Sequence, residues 1–188
     1  MPQRITPVLL LCLLPACLSA QRAPNDFRLT KISRDLITSP RFSYNGAEQQ
    51  PNSTERWLRV EVQFSAAPEF TNELTFRYYI LLNGKVLTGD VTHVNIPGRR
   101  DLYVSAYVAP HALAYAMQNR PVSISSITNI AVQIVQQSEV KDELSMTPSR
   151  ANWFAGLPSL SGLILNKNET PFAPLFWDHY EQVKTTGH

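Results

Sequence analysis

The sequence predicts an all-β fold: an immunoglobulin-like antiparallel β-sandwich of about 7–8 strands with one or two short helices. Three observations predict it. Residues 57–65 and 101–109 alternate apolar and polar side chains with period two, the signature of a strand with one face on a core. Asn83-Gly84 stands between two apolar runs, the pattern of a two-residue hairpin. Fourteen prolines punctuate the chain, which suits short strands joined by loops better than a helix bundle. An up-and-down barrel is the alternative architecture. The Cys…Trp…Cys signature of true immunoglobulin domains is missing, and no internal repeat is found.

The N-terminus reads as a secretory leader. Arg4 supplies a small positive region and residues 8–14 an unbroken apolar run, too short for a bilayer-spanning helix of about 20 residues. Pro15 and the small residues Ser19 and Ala20 follow, so cleavage is expected between Ala20 and Gln21. A rival cut is written in Leu14-Pro15-Ala16-Cys17, which would leave an acylated Cys17 at the mature terminus; Pro15 fits that pattern poorly. Membrane attachment is expected only if Cys17 is lipidated, and one acyl chain holds a membrane weakly. The expected organisation is a signal peptide at 1–20, a linker at 21–26 and one β-sandwich domain at 27–188 ending in an aromatic, Pro-rich tail.

Removing 20 of the 188 residues leaves about 168, enough for one domain with a real core. Cleavage after Ala20 also removes Arg4, so 16 basic residues face 15 acidic ones. That near-balance gives no electrostatic reason to expect nucleic acid. Both cysteines, Cys12 and Cys17, lie in the leader, so the mature domain is expected to have no disulfide, thiol nucleophile or Cys-ligated zinc.

Along the mature chain, residues 28–33 and 36–44 read as two strands broken at Ser39-Pro40, and residues 45–54 as a polar loop. Residues 57–65 form a strand with Leu58, Val60, Val62 and Phe64 on the core face. Residues 74–82 and 85–94 form the hairpin, with Gly89 a candidate bulge. Residues 101–109 place Leu102 and Val104 on one face and Tyr103 and Tyr107 on the other. A short helix begins at Pro110 and ends near Asn119. Residues 127–135 read as a strand, 136–149 as a loop, 152–157 as a helical turn and 160–165 as a last strand. Residues 170–184 are expected to pack on the domain.

No constellation points to catalysis, a cofactor or a metal. His93 and Asp90 are three apart on a strand and so fall on opposite faces; His93 reads as a structural histidine. Asp178, His179 and Glu181 cluster without a second ligand group, and His111 reads as solvent-facing. There is no Gly-x-Ser-x-Gly elbow, Ser161 has no local histidine, and no phosphate-binding glycine loop occurs. The aromatics allow a carbohydrate- or surface-binding face at Tyr103 and Tyr107, weighed against a buried face or a subunit interface. Lys141-Asp-Glu-Leu144 is internal and so is not a retention signal. Asn52 and Asn168 begin glycosylation sequons, which matter only in a host with that pathway.

Several phrases carry a family resemblance: Trp57-Leu-Arg-Val-Glu-Val62, Leu74-Thr-Phe-Arg-Tyr-Tyr-Ile-Leu-Leu-Asn-Gly-Lys85, Thr92-His-Val-Asn-Ile-Pro97, Tyr107-Val-Ala-Pro110 and Thr170-Pro-Phe-Ala-Pro-Leu-Phe-Trp-Asp178. Together they resemble the exported pilus-like proteins of Akkermansia-type verrucomicrobial bacteria, associated with type IV pilus gene clusters. The resemblance implies an immunoglobulin-like β fold, a place in the periplasm, at the outer membrane or on the cell surface, and a structural or adhesive role. Envelope or pilus proteins are the implied partners, self-association included. A type IV pilin keeps a long apolar helix after its processing site. Here residues 21–26 are polar and broken by Pro24. The implied role is therefore that of an accessory subunit held by folded-domain contacts, with an edge such as 36–44 one conceivable place of pairing.

Overall fold

The computed structural model describes residues 26–44, 47–49, 55–147, 151–176 and 178–185. The expected cleavage site at Ala20 and Gln21, the lipidation candidate Cys17, the linker up to residue 25, the Asn52 sequon and Trp177 lie outside the described residues.

Two sheets pack face to face. The first has the order β1 (Phe27–Ile37), β4 (Trp57–Ala66), β7 (Leu102–Val108) and β11 (Ile164–Asn166). The second has the order β10 (Ser159–Ser161), β6 (Lys85–Pro97), β5 (Phe70–Leu82), β8 (Ile127–Gln136) and β9 (Glu139–Ser145). A small hairpin, β2 (Phe42–Tyr44) with β3 (Ala47–Gln49), stands apart. The pairings are antiparallel except β10 beside β6, which is parallel. Eleven strands thus occur among the described residues, more than expected, because several short pieces pair only through contacts distant in sequence.

Period two builds the core. On β4, Leu58, Val60, Val62 and Phe64 are wholly buried while the alternate residues are half-exposed. β7 opposes them in register, Val62 against Val104 and Phe64 against Leu102. From the second sheet, Phe76, Tyr78 and Ile80 meet them, and Phe64 and Phe76 pack edge to face at 4.9 Å. Each such buried side chain contributes about 1.5–3 kcal/mol of transfer free energy. The hairpin follows the sequence: Asn83 at φ 52° and Gly84 at φ 71° make the left-handed turn between β5 and β6. Helix α1 (Pro110–Ala116) starts on Pro110, where the missing N–H costs nothing.

Five expectations change. Residues 28–33 and 36–37 lie in one continuous strand, because β4 supplies a partner through Ile37. Gly89 is not a bulge: it faces Tyr78 in unbroken register, and a Cβ there would lie 2.7 Å from the Ile164 Cβ. It is the smallest residue because β11 crosses it. Residues 136–149 are not all loop, since β9 pairs with β8 through a turn at Gln137 and Ser138, both at positive φ. Residues 152–157 form turns rather than a helix, and the strand expected at 160–165 is two pieces, one in each sheet.

Candidate interaction surface

The outer face of the first sheet carries Arg59 and Glu61 from β4 and Tyr103, Ser105 and Tyr107 from β7. Alternation puts them there, as the sequence implies. The structure then lays the chain's own C-terminal segment over that face. Phe172 stacks on Tyr107 with centroids 5.1 Å apart and meets Trp57 edge-on at 5.8 Å. Tyr107 is consequently 1% exposed and offers no free ring face. Tyr103 is half-buried under His179, whose ring lies 4.4 Å away. These two tyrosines, candidates for a surface aromatic pair, are thus covered from within the same chain, by a segment whose return no local pattern reveals.

Polar contacts lock the segment down. The Tyr180 hydroxyl donates to Glu61 Oε2 at 2.7 Å, and His179 Nε2 lies 3.7 Å from the same oxygen. Burial first, then the Glu61 carboxylate, push the Tyr180 hydroxyl well above the usual phenol range. Arg59 reaches Asp35 on β1 at 2.8 Å. Burial likewise raises Tyr107.

Farther on, residues 181–184 close the edges of both sheets. Glu181 N–H donates to the Tyr103 carbonyl of β7, Val94 N–H of β6 donates to the Gln182 carbonyl, and Lys184 N–H donates to the Thr92 carbonyl. β10 and β11 cover the other halves of the same two edges. On the opposite side of the sandwich, the Leu29 N–H of β1 donates to Asp142 Oδ2 of β9 at 2.7 Å. Residues 36–44, suggested as a pairing edge, are divided: Leu36 and Ile37 pair with β4, and Phe42–Tyr44 fold into their own hairpin.

His93 is buried beneath the segment. Its Nδ1 lies 3.0 Å from the Glu181 carbonyl, which can only accept, so Nδ1 carries the proton. Nε2 has no partner among the described residues, and the ring meets Phe76 edge-on at 5.5 Å. Burial lowers its pKa to about 4. Asp90 is turned away and holds Arg77 in a two-pronged ion pair. The structure does not bring Asp178, His179 and Glu181 together: His179 faces Glu61, Glu181 lies 3.9 Å from Arg99, and Asp178 is exposed. His111 and Ser161 are exposed. No group of three or more His, Cys, Asp or Glu among the described residues is placed to hold a metal.

The outer face of the second sheet stays more open. Phe154 stacks on Tyr79 at 3.5 Å, Trp153 Nε1 donates to Ser145 Oγ at 3.0 Å, and Gln133 Nε2 donates to Glu143 Oε2 at 2.7 Å. Among the described residues, Phe70, Tyr115, Val140 and Phe176 are the most exposed large apolar side chains. No helix among the described residues is long and apolar enough to cross a membrane.

Comparison with known proteins places this architecture. No curated protein matches the chain. Among solved structures, a crystal structure from Akkermansia muciniphila is similar over 86% of this chain and 94% of that one, with a TM-score of 0.72 at 18% identity. At that identity the likeness is one of fold, and the fold is the mostly β sandwich described above. A family model matches residues 18–187, nearly the whole chain. The long phrases at residues 57–62, 74–85, 92–97, 107–110 and 170–178 lie within that match, and the chain belongs to the pilus-like family of Akkermansia-type bacteria.

Proposed function

We propose that the protein is a non-enzymatic structural or interaction subunit of the bacterial envelope, an accessory protein associated with pili. Membership of the pilus-like family carries the reading. The geometry supports it. Strand edges that could template association are covered in part by the chain itself, by β10, β11 and residues 181–184 on one side, while on the other β1 meets β9 through the Leu29–Asp142 hydrogen bond. Such a unit attaches through its faces and ends, as an accessory subunit held by folded-domain contacts would. The polar, Pro-broken stretch at 21–26 has no place for the apolar helix that packs a type IV pilin filament.

In this reading residues 1–20 are a signal peptide, 21–26 a linker and 27–188 one domain, delivered to the periplasm, the outer membrane or the cell surface. The test is retention of envelope proteins by the purified chain beginning at Gln21, together with its sedimentation behaviour. Recovery of a pilus or secretion component, or concentration-dependent self-association, is expected. A strictly monomeric protein that retains none of them from envelope fractions overturns the reading.

A further inference from the structure

Lys167 stands where a lysine is costly. It is 6% exposed, in the short 3-10 turn Lys167–Glu169 that follows β11. The turn is firmly held: Asn166 Oδ1 accepts from Asn168 N–H, Glu169 Oε2 accepts from Asn166 N–H, and the Thr170 hydroxyl donates to the Lys167 carbonyl. The position of the lysine is therefore set by its backbone. Its ammonium nevertheless has no hydrogen-bonding or ion-pair partner among the described residues. The nearest organised contact is the Tyr180 ring, with Nζ 5.8 Å from the centroid. Burial lowers the ammonium's pKa, opposed only by the charge of Asp178. The other acidic and basic neighbours are committed elsewhere: Glu181 faces Arg99 at 3.9 Å, and Lys184 is paired with Glu73. The side chain is largely covered while its ammonium reaches the groove, and a poorly hydrated cation with no anion in contact is a cost that a ligand can relieve.

The ammonium borders a groove of about 610 Å³, whose walls include Asn95, Asn168, Tyr180, Gln182 and Thr185 and also the paired charges Glu181 and Lys184. Asn95, held at φ 58°, donates from Nδ2 to Gln182 Oε1 at 2.9 Å. That bond leaves Asn95 Oδ1 as an acceptor and Gln182 Nε2 as a donor. The Asn168 side chain is exposed and adds a third amide. The groove thus combines one unneutralised positive charge with amide and hydroxyl groups that both give and accept hydrogen bonds, and its size is that of a small-ligand site. An acidic side chain from a protein partner would use the charge and leave the amides idle. Sugar hydroxyls use both kinds of group.

We propose that this groove binds an acidic sugar, a hexuronic-acid type of residue, with its carboxylate on the Lys167 ammonium and its hydroxyls on the amides of Asn95, Asn168 and Gln182. This inference is independent of the pilus-associated reading: a glycan site serves an envelope protein of either kind. The test is amide chemical-shift titration of the chain beginning at Gln21 with sodium glucuronate, with glucose and acetate as arms lacking the charge or the hydroxyls. Saturable shifts at Asn168 and Gln182 are expected, with glucose and acetate each about tenfold weaker or more. Lys167→Met, which keeps the apolar stem, is expected to weaken glucuronate about tenfold or more, and Lys167→Arg to retain binding. The amide spectrum away from the groove reports whether each variant is folded, and the arginine variant carries the test if the methionine variant is not. Absence of saturable shifts with glucuronate, or unchanged affinity in a folded Lys167→Met, overturns the proposal. Acetate binding as tightly as glucuronate overturns the sugar assignment, and displacement of glucuronate by an acidic peptide at lower concentration overturns it in favour of a protein partner.

Discussion

The Tyr180 hydroxyl donates a 2.7 Å hydrogen bond to Glu61, a residue 119 positions earlier in the chain. Glu61 is on β4 and half-exposed, so the bond ties the C-terminal segment to the middle of the first sheet. Tyr180→Phe removes one hydroxyl and leaves the ring packing in place. The expected loss is about 1–2 kcal/mol, read as a lower urea midpoint at unchanged slope. A midpoint equal to that of the wild type would show that water replaces the hydroxyl at no cost.

Phe172 seals Tyr107 from solvent and wedges against Trp57. Phe172→Ala is expected to cost about 3–5 kcal/mol and to loosen residues 170–184. Limited proteolysis checks the second point: new cleavage within the segment should precede cleavage elsewhere. Simultaneous cleavage throughout would mean that the segment and the sandwich unfold together.

Gly89 lies under Ile164, with room for no Cβ. Gly89→Ala should destabilise by about 1–3 kcal/mol through overpacking. In an Ile164→Ala background the same change should cost much less, since the obstructing side chain is gone. Thermal or urea unfolding of the four proteins gives the coupling, and additive effects would place the strain elsewhere.

His93 is neutral in the folded protein to unusually low pH, its pKa lowered to about 4 by burial. The unfolded chain, with an ordinary histidine near pH 6.5, binds that proton first as the pH falls. Its contribution to stability is therefore full above about pH 6.5, declines as the pH falls, and levels off below the folded value; it amounts to about 3 kcal/mol over the window. Glu181, raised by burial, contributes the opposite slope in the carboxylate range. The comparison is thus between wild type and His93→Gln, whose urea stability should fall less between pH 6.5 and 4. Parallel curves would remove His93 as the source.

The mature N-terminus is expected at Gln21, and intact mass of the exported protein checks it. A mass corresponding to an acylated Cys17 start would make the protein membrane-tethered instead.

How much was legible in the sequence depended on whether a residue's environment was local. β4, β7, the turn at Asn83-Gly84 and the start of α1 at Pro110 follow from patterns within a few residues, and the structure has each where those patterns put it. β9 did not show. Its residues are half-exposed edge positions with no apolar alternation, and the β8–β9 turn is made by Gln137 and Ser138 rather than by a glycine. β10 and β11 are three residues each and exist because β6 and β7 present edges to them.

What the sequence by itself determined is the two-faced strand: period two assigns each residue to one side of a sheet, and Leu58, Val60, Val62 and Phe64 could not sit elsewhere without exposing a core. It determined the family too, through long phrases that need no folding to be compared. Only the tertiary structure decided which of the remaining faces meets water. Tyr107 allows either a surface or a buried face by its local string, and Lys167 is of a type usually exposed, yet each is buried. The cover comes from chain far away in sequence or from the return of the C-terminal segment, and burial depends on the sum of all neighbours in space, which no local periodicity contains.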